Sequence, residues 1–327
     1  MKKIIFLLVL TVQNYLLLAN QTPASICPDI ISKTHAGGSA EGMDFGSYDG
    51  KYFWIANFYD GTLFKIDNNG TPVNIYKDIS LTAQAVASDG TYVWIGDTDQ
   101  NGTLQKFSIK EGKVIANYHF NFHGNVPYYF SGFNHIIWDG SYLWLAPLIP
   151  GYSGPSYVYK FNTTTDSIAL TVTVGASVNL LSYTTYNGKE IILGARANDF
   201  MEIDADTGAT TMFASKDPWD YHAVASDGIY VYEADFKANS ISKYALSNGA
   251  FITSWPTDRQ PNEILWDGHY IWTSNISSEP NAEIYTTSGT KICHLNNAAA
   301  TDIVKGNKSI WGVVDYDIYQ IGLLKFP

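Results

Sequence analysis

Positive charge is scarce in this chain of 327 residues. It contains 20 Lys and Arg residues against 31 Asp and Glu residues, which gives a formal net charge of −11 at pH 7. No cluster of Lys and Arg reverses this balance locally. Because binding to a phosphate backbone needs a basic surface, the composition excludes nucleic acid as an expected partner.

Long apolar runs are missing outside the N-terminus. There, Lys2 and Lys3 precede an apolar stretch over residues 4–12, and a second short run ends at Ala19. This arrangement is too short and too interrupted to span a membrane, and it is typical of a signal peptide. We expect residues 1–19 to be a signal peptide and residues 20–327 to form one domain that is secreted or periplasmic, with no membrane span once the signal is removed.

Cysteine is also rare, since Cys27 and Cys293 are the only two in the chain. In an oxidising compartment two cysteines can form a disulfide. The alternative is a pair of unbonded thiols, one of them near the N-terminus.

Several sequence signatures of enzymes are absent. The chain has no G-x-S-x-G motif, which argues against a standard serine hydrolase. It also lacks the glycine patterns of P-loop and dinucleotide-binding proteins. No helical periodicity of apolar residues is visible, so the chain is not a helical repeat protein.

Aromatic residues are abundant, at 15% of the chain, and they occur in a repeat. The segment ASDGTYVWIGD at residues 87–97 returns as ASDGIYVYEAD at residues 225–235. Related units recur at spacings of 40, 50, 48, 40, 40 and 39 residues. Their turns are Asp49-Gly50, Asp89-Gly90, Asp139-Gly140, Asn187-Gly188, Asp227-Gly228, Asp267-Gly268 and a degenerate Gly306-Asn307.

Each copy has the pattern of four β-strands. Asp-Gly and Asn-Gly favour tight type I′ hairpins, and the residues after each turn alternate at period two. Four strands in about 40 residues form one blade of a β-propeller. The sequence therefore predicts an all-β fold, a seven-bladed β-propeller with four antiparallel strands per blade.

The seventh copy supplies only three strands, so its fourth should come from the N-terminal segment near residues 25–35. Closing the ring in this way removes an exposed sheet edge. Cys293 belongs to the last strand of the sixth copy and lies beside this seam. A disulfide between Cys27 and Cys293 would therefore hold the ring closed.

The repeated D-G-x-Y-x-W unit resembles the blades of secreted seven-bladed propellers of the YVTN, NHL and streptogramin (virginiamycin B) lyase group. The resemblance covers nearly the whole chain after residue 36 and implies the fold. These propellers include lyases, lactonases and binding proteins, so the motif specifies the blade rather than an activity. In the streptogramin lyases a histidine at the start of an inner strand and acidic residues after second strands act with a divalent metal. His222 and Asp235 resemble that arrangement.

A polar residue lies five positions before each turn residue. In a propeller the first strands line the central channel, so one such side chain per blade should surround one mouth of it. These predicted ligand-binding residues are Asp44, Gln84, Asn134, Ser182, His222, Asn262 and Thr301. Further polar residues end the second strands, which run back to the same face, namely Asn57, Asp97, Asp235 and Asn275. The alternative is that these groups only line a wet channel.

The longest connections are also predicted on this face. Residues 119–134 and 147–157 bring several aromatic side chains, including Tyr129, and residues 217–222 add Trp219. Aromatic residues above a polar ring form a plausible cup for a sugar, an aromatic metabolite or a peptide.

Two kinds of chemistry fit this mouth. A histidine beside a carboxylate can act as a general base, which makes His222 and Asp235 the candidate catalytic residues. Asp44, Asp97 and Asp235 offer oxygen ligands suited to Ca²⁺ or Mg²⁺. Because no complete catalytic set is visible, we expect a monomeric propeller that binds a small molecule, a glycan or a protein. The alternatives are a metal-assisted lyase or hydrolase at the same site and a pure protein scaffold.

Overall fold

The computed structural model describes residues 27–35, 43–58, 60–98, 102–120, 132–148, 156–196, 199–216, 222–276, 281–299, 301–315 and 317–324. Within these ranges the regular structure is entirely β-strand. No helix in the described part of the chain is long and apolar enough to cross a membrane.

The strands form seven sheets of four, and each sheet is one blade. Blades one to three comprise β2 (Met43–Tyr48), β3 (Tyr52–Asn57), β4 (Thr62–Asp67), β5 (Pro72–Tyr76), β6 (Ala83–Ser88), β7 (Tyr92–Asp97), β8 (Thr103–Ser108), β9 (Lys113–His119), β10 (Gly132–Trp138), β11 (Leu143–Leu148), β12 (Tyr157–Asn162) and β13 (Ser167–Thr173). Blades four to six comprise β14 (Leu180–Tyr186), β15 (Lys189–Ala195), β16 (Asp199–Asp204), β17 (Thr210–Ala214), β18 (His222–Ser226), β19 (Tyr230–Asp235), β20 (Ser240–Ala245), β21 (Phe251–Pro256), β22 (Gln260–Trp266), β23 (Ile271–Ile276), β24 (Asn281–Tyr285) and β25 (Lys291–Asn296).

Blade seven combines both ends of the described chain. It contains β26 (Asp302–Lys305), β27 (Ser309–Val314), β28 (Asp317–Gly322) and, as its outermost strand, β1 (Ile30–His35). Strand β1 pairs antiparallel with β28, with Lys33 opposite Tyr319. The predicted propeller and its closure by the N-terminal strand are therefore confirmed.

The disulfide between Cys27 and Cys293 is also confirmed. Their Cα atoms are 5.2 Å apart, and the bond spans 266 residues of sequence. It joins the segment that precedes β1 to β25, the outermost strand of blade six. The bond therefore crosses the seam at which the ring closes.

The aspartate of the repeated turn acts as an acceptor. In blade two, one oxygen of Asp89 accepts hydrogen bonds from the backbone N–H of Thr91 and Tyr92, at 2.8 and 2.7 Å. The other accepts from the indole N–H of Trp94, at 2.9 Å. Equivalent bonds occur at Asp49, Asp139 and Asp267, and at Asp227 the hydroxyl of Tyr232 replaces the indole. The repeated D-G-x-Y-x-W motif is thus a structural unit of the blade.

These turns differ from the predicted type I′ geometry. Only the turn of blade four has positive φ at both central residues, 50° at Asn187 and 76° at Gly188. In the Asp-Gly turns only the glycine has positive φ, as at Gly90, where it is 83°. The aspartate keeps ordinary dihedrals because its side chain, rather than a two-residue turn, organises the longer connection.

A second repeated contact joins neighbouring blades. The ammonium of Lys106 lies 4.2 Å from the ring centre of Tyr92 and reaches Asp166 in blade three at 2.7 Å. In three other blades the residue at the strand position of Lys106 donates to a backbone carbonyl of the next blade. Lys160 donates to Ala205 at 2.7 Å, Lys243 to Thr287 at 2.9 Å and Gln320 to Asn68 at 2.6 Å. Aromatic packing between blades completes the core, as where Trp54 contacts Phe107.

Candidate functional site

Three of the polar residues predicted to form the ring lie at irregularities of the inner strands. The β6–β7 pairing skips Gln84, the β10–β11 pairing skips Asn134 and the β22–β23 pairing skips Asn262. Each is the extra residue of a β-bulge, a device that turns a side chain away from the regular ladder.

The amides of these residues join one blade to the next. The Gln84 amide donates to the Asn134 side chain at 3.5 Å, and Asn134 donates to the backbone oxygen of Asn179 in blade four. Asn262 donates to the backbone oxygen of Thr301 in blade seven at 2.9 Å. Some of the polar residues that were predicted to bind a ligand therefore form hydrogen bonds between neighbouring blades.

In blade four, the residue five positions before the turn does not lie at the ring position that this count gives in the other blades. Leu181 donates its backbone N–H to His135, as Gly46 does to Asp302 and Ile303 does to Glu263. Leu181 therefore corresponds to Gly46, which lies three residues before its turn. Asn179 then takes the ring position of blade four, and Ser182 lies three residues further along its strand. The cause is the longer hairpin, in which Tyr186 pairs directly with Lys189.

The residues that end the second strands are buried. Asn57, Asp97, Asp235 and Asn275 are each no more than 2% exposed. The carboxylate of Asp97 accepts from the N–H of Thr103 at 2.9 Å, and that of Asp235 accepts from the N–H of Ala238 at 2.8 Å. These groups hold the connections to the third strands, so the two aspartates are already engaged as acceptors.

For other predicted site residues, the whole residue or its side chain lies outside the part of the chain that the structure describes. Tyr129 and Trp219 lie outside the described residues, and so do the side chains of Asp44 and His222. The backbone of His222 is described and pairs directly with that of Asp235.

The central channel contains a cavity of about 510 Å³. All seven inner strands line it, and among the predicted site residues with described side chains Ser182 is the one that does so. Tyr48 and Trp138 line the cavity where their strands end at Asp-Gly turns, and Tyr183 and Lys305 line it from blades four and seven. The cavity thus has aromatic side chains at the end of the channel opposite to that predicted.

Two carboxyl groups face each other in the wall of this cavity. Asp302 accepts hydrogen bonds from the N–H of Gly46 at 2.6 Å and from its neighbour Ile303 at 2.8 Å. Burial, and then the charge of Asp302, raise the pKa of Glu263 well above its ordinary value. Burial also raises the pKa of Asp302, although its hydrogen bonds oppose this. We infer that the pair shares one proton, held on Glu263 and donated to Asp302.

His135 occupies the equivalent position in blade three. Its Nδ1 accepts the N–H of Leu181 at 3.1 Å, and burial lowers the pKa of the ring to about 4. The ring is therefore neutral at neutral pH, with its proton on Nε2.

Sequence analysis missed these three groups, although a signal was present. His135, Glu263 and Asp302 each directly follow a polar residue of the predicted ring, in strands that are otherwise largely apolar. An ionisable residue next to aliphatic neighbours in an inner strand would have identified them.

A further ionisable cluster lies in the outer part of blade six. Asp258, Glu283 and His294 bring their side-chain ligand atoms within 4.8 Å of one another. Lys291 already bridges this group, at 2.6 Å from Glu283 and in contact with Asp258. Glu283 also accepts from Asn275 at 3.0 Å and from Tyr285 at 2.9 Å. The cluster is therefore a buried carboxylate with its own ammonium partner rather than an open metal site.

Comparison with family models and with curated protein sequences assigns the chain to no family. No protein-family model matches the chain, and no curated protein sequence matches it either. The seven-bladed propeller fold therefore stands on the sheet topology itself.

Proposed function

We propose that this protein is an exported binding protein that holds a small polar molecule, with a glycan as the favoured class, in its central channel. The observation that carries the proposal is the 510 Å³ cavity to which every blade contributes. Its volume lies within the usual range of ligand pockets, roughly 300–1,000 Å³. The Cys27–Cys293 disulfide and the apolar N-terminal segment support export.

The lining suits a ligand rich in hydroxyl groups. The half-buried hydroxyls of Ser47 and Ser182 line the cavity and can donate or accept. The faces of Tyr48 and Trp138 offer apolar surfaces against which a sugar ring can pack. A rigid ring of strands presents these groups without rearrangement, which lowers the entropy lost on binding.

A channel-blocking variant tests this proposal. Ser182→Trp places an indole in the cavity, whereas Thr185→Trp changes an exposed position of the same strand that does not line it. Calorimetry with a panel of monosaccharides and disaccharides should show binding to the parent protein. We expect Ser182→Trp to weaken it by about tenfold or more, which is about 1.4 kcal/mol, and Thr185→Trp to leave it unchanged. Equal affinity in both variants would place the site elsewhere.

A second candidate is a metal-assisted lyase or hydrolase, as the resemblance to the streptogramin lyase group implies. The direct pairing of His222 and Asp235 on neighbouring strands favours it. If Ca²⁺ or Mg²⁺ acts there, either ion should raise the melting temperature, and Asp235→Asn should abolish the increase. Turnover of lactone or ester substrates should then disappear in His222→Ala. Activity that survives this substitution, or a melting temperature indifferent to both ions, would eliminate the candidate.

A further inference from the structure

Four blades fill the same space near their repeated turns in the same way. A tyrosine and a second aromatic ring of the second strand lie beneath the ammonium of a lysine from the third strand. The distances from the lysine nitrogen to the tyrosine ring centre are 3.9 Å for Lys65, 4.2 Å for Lys106, 4.1 Å for Lys160 and 3.7 Å for Lys243. Each of these blades thus contains an aromatic ring stacked with a cation.

Blade four lacks every part of this arrangement. Strand pairing puts Glu202 opposite Leu193, where blade one pairs Lys65 with Trp54. Two residues earlier, Ile191 takes the position of the tyrosine. The substitutions therefore remove two aromatic rings and replace the ammonium by a carboxylate.

The missing side chains leave a cavity of about 410 Å³. Ile191 and Glu202 both line it, together with Tyr186 and Thr211. Thr211 is the cross-strand partner of Glu202, so the two side chains face the same space. The cavity therefore occupies the place that an aromatic ring and an ammonium fill in blades one, two, three and five.

The charges in this cavity leave Glu202 without a close partner. Asp204 accepts from the backbone N–H and the hydroxyl of Thr207, at 2.9 and 2.8 Å, and pairs with Lys189 at 3.5 Å. The Glu202 carboxylate forms no hydrogen bond or close ion pair with any residue in the described ranges. Burial, and then the charge of Asp204, raise the pKa of Glu202, while the charge of Lys189 lowers it. A cation placed beside Glu202 would offset both effects.

We propose that this cavity binds a small aromatic amine, a molecule that joins an aromatic ring to a primary ammonium group. The ring takes the space above Ile191 that tyrosine fills elsewhere, and the ammonium pairs with the Glu202 carboxylate. This site is separate from the central channel and does not depend on its ligand.

Tyramine is the probe that tests the site, because it combines a phenol ring with an ammonium group. Calorimetry with the full chain should detect tyramine binding, and 4-ethylphenol, which lacks the ammonium, should bind at least about tenfold more weakly. Glu202→Gln keeps the shape and removes the charge, so it should reduce tyramine affinity by a similar factor. Glu111→Gln, which changes an exposed glutamate of blade two, is the matched control and should have no effect.

A second pair of variants guards against a folding defect in Glu202→Gln. Thr211→Trp fills the cavity and should abolish binding, whereas Thr210→Trp alters an exposed neighbour that does not line it and should preserve binding. Failure of folded parent protein to bind millimolar tyramine would overturn the proposal. So would equal binding of 4-ethylphenol, or retention of full affinity in Thr211→Trp.

Discussion

Replacing Asp302 by leucine should lower the free energy of unfolding by about 3–5 kcal/mol. The substitution leaves the N–H group of Gly46 without its carboxylate acceptor and removes the group that receives the Glu263 proton. Removing one partner of a buried polar pair is among the most destabilising single changes. Because Gly46 belongs to blade one, the contact also joins the first inner strand to the last. Urea unfolding at pH 7, followed by tryptophan fluorescence, gives the difference directly.

Two further variants serve as comparisons for Asp302→Leu. Asp206→Leu changes an exposed aspartate of blade four and should alter stability by no more than about 0.5 kcal/mol. Glu263→Gln replaces the protonated acid by an amide that can still donate to Asp302. Because the pKa of Glu263 is raised in the folded protein, the protonated side chain contributes fully to the free energy of unfolding below pH 4.5. This contribution declines as pH rises toward the folded-state pKa. Glu263→Gln should therefore gain stability relative to the parent as pH increases. A loss below about 1 kcal/mol in Asp302→Leu would show that the pair does not hold the channel together.

Removing the disulfide should have an effect of similar size. The double variant Cys27→Ser, Cys293→Ser loses a cross-link between residues 266 positions apart. Long loops give a disulfide its largest effect on the entropy of the unfolded chain, and losses of native disulfides are typically 2–5 kcal/mol. We expect a loss of about that size in urea unfolding.

The location of the bond predicts where the variant opens. Besides the disulfide, the pairing of β1 with β28 and side-chain contacts such as that of Lys33 with Asp317 hold the N-terminal segment, so β1 should detach more often once the bond is absent. Faster hydrogen exchange at the amides of Lys33 and Thr34, with little change in blade three, would be the signature. Reducing agent provides the control, since it should destabilise the parent protein to the level of the double variant and leave the variant unaffected. Equal stability of oxidised and reduced parent protein would contradict the prediction.

The two kinds of polar residue near the channel show how far sequence patterns reach. Counting from the turns located Gln84, Asn134 and Asn262 at one level of the inner strands, because the five Asp-Gly turns share one connection length. The same count misplaced blade four by three residues, because its two-residue turn extends the hairpin. Register across a strand pair depends on turn geometry, and Asn-Gly and Asp-Gly look alike in sequence.

The hydrogen-bond partners of each polar group could not be predicted from the sequence. Asn134 donates to Asn179, 45 residues away, and Asp302 accepts from Gly46, 256 residues away. Such contacts arise where adjacent blades meet, so no local pattern contains them. Asp97 and Asp235 likewise ended the expected strands, but only their burial showed that they hold turns.

By itself the sequence determined the number of blades and the strand that closes the ring, because each follows from a local repeat that must bury its sheets and hide its edges. It favoured the Cys27–Cys293 disulfide, which the structure then confirmed. The tertiary structure alone decided which polar groups meet in the channel and which cavity a missing tyrosine and lysine leave in blade four. Those outcomes depend on how seven similar sheets pack against one another, and small differences in turn length and side-chain volume shift them.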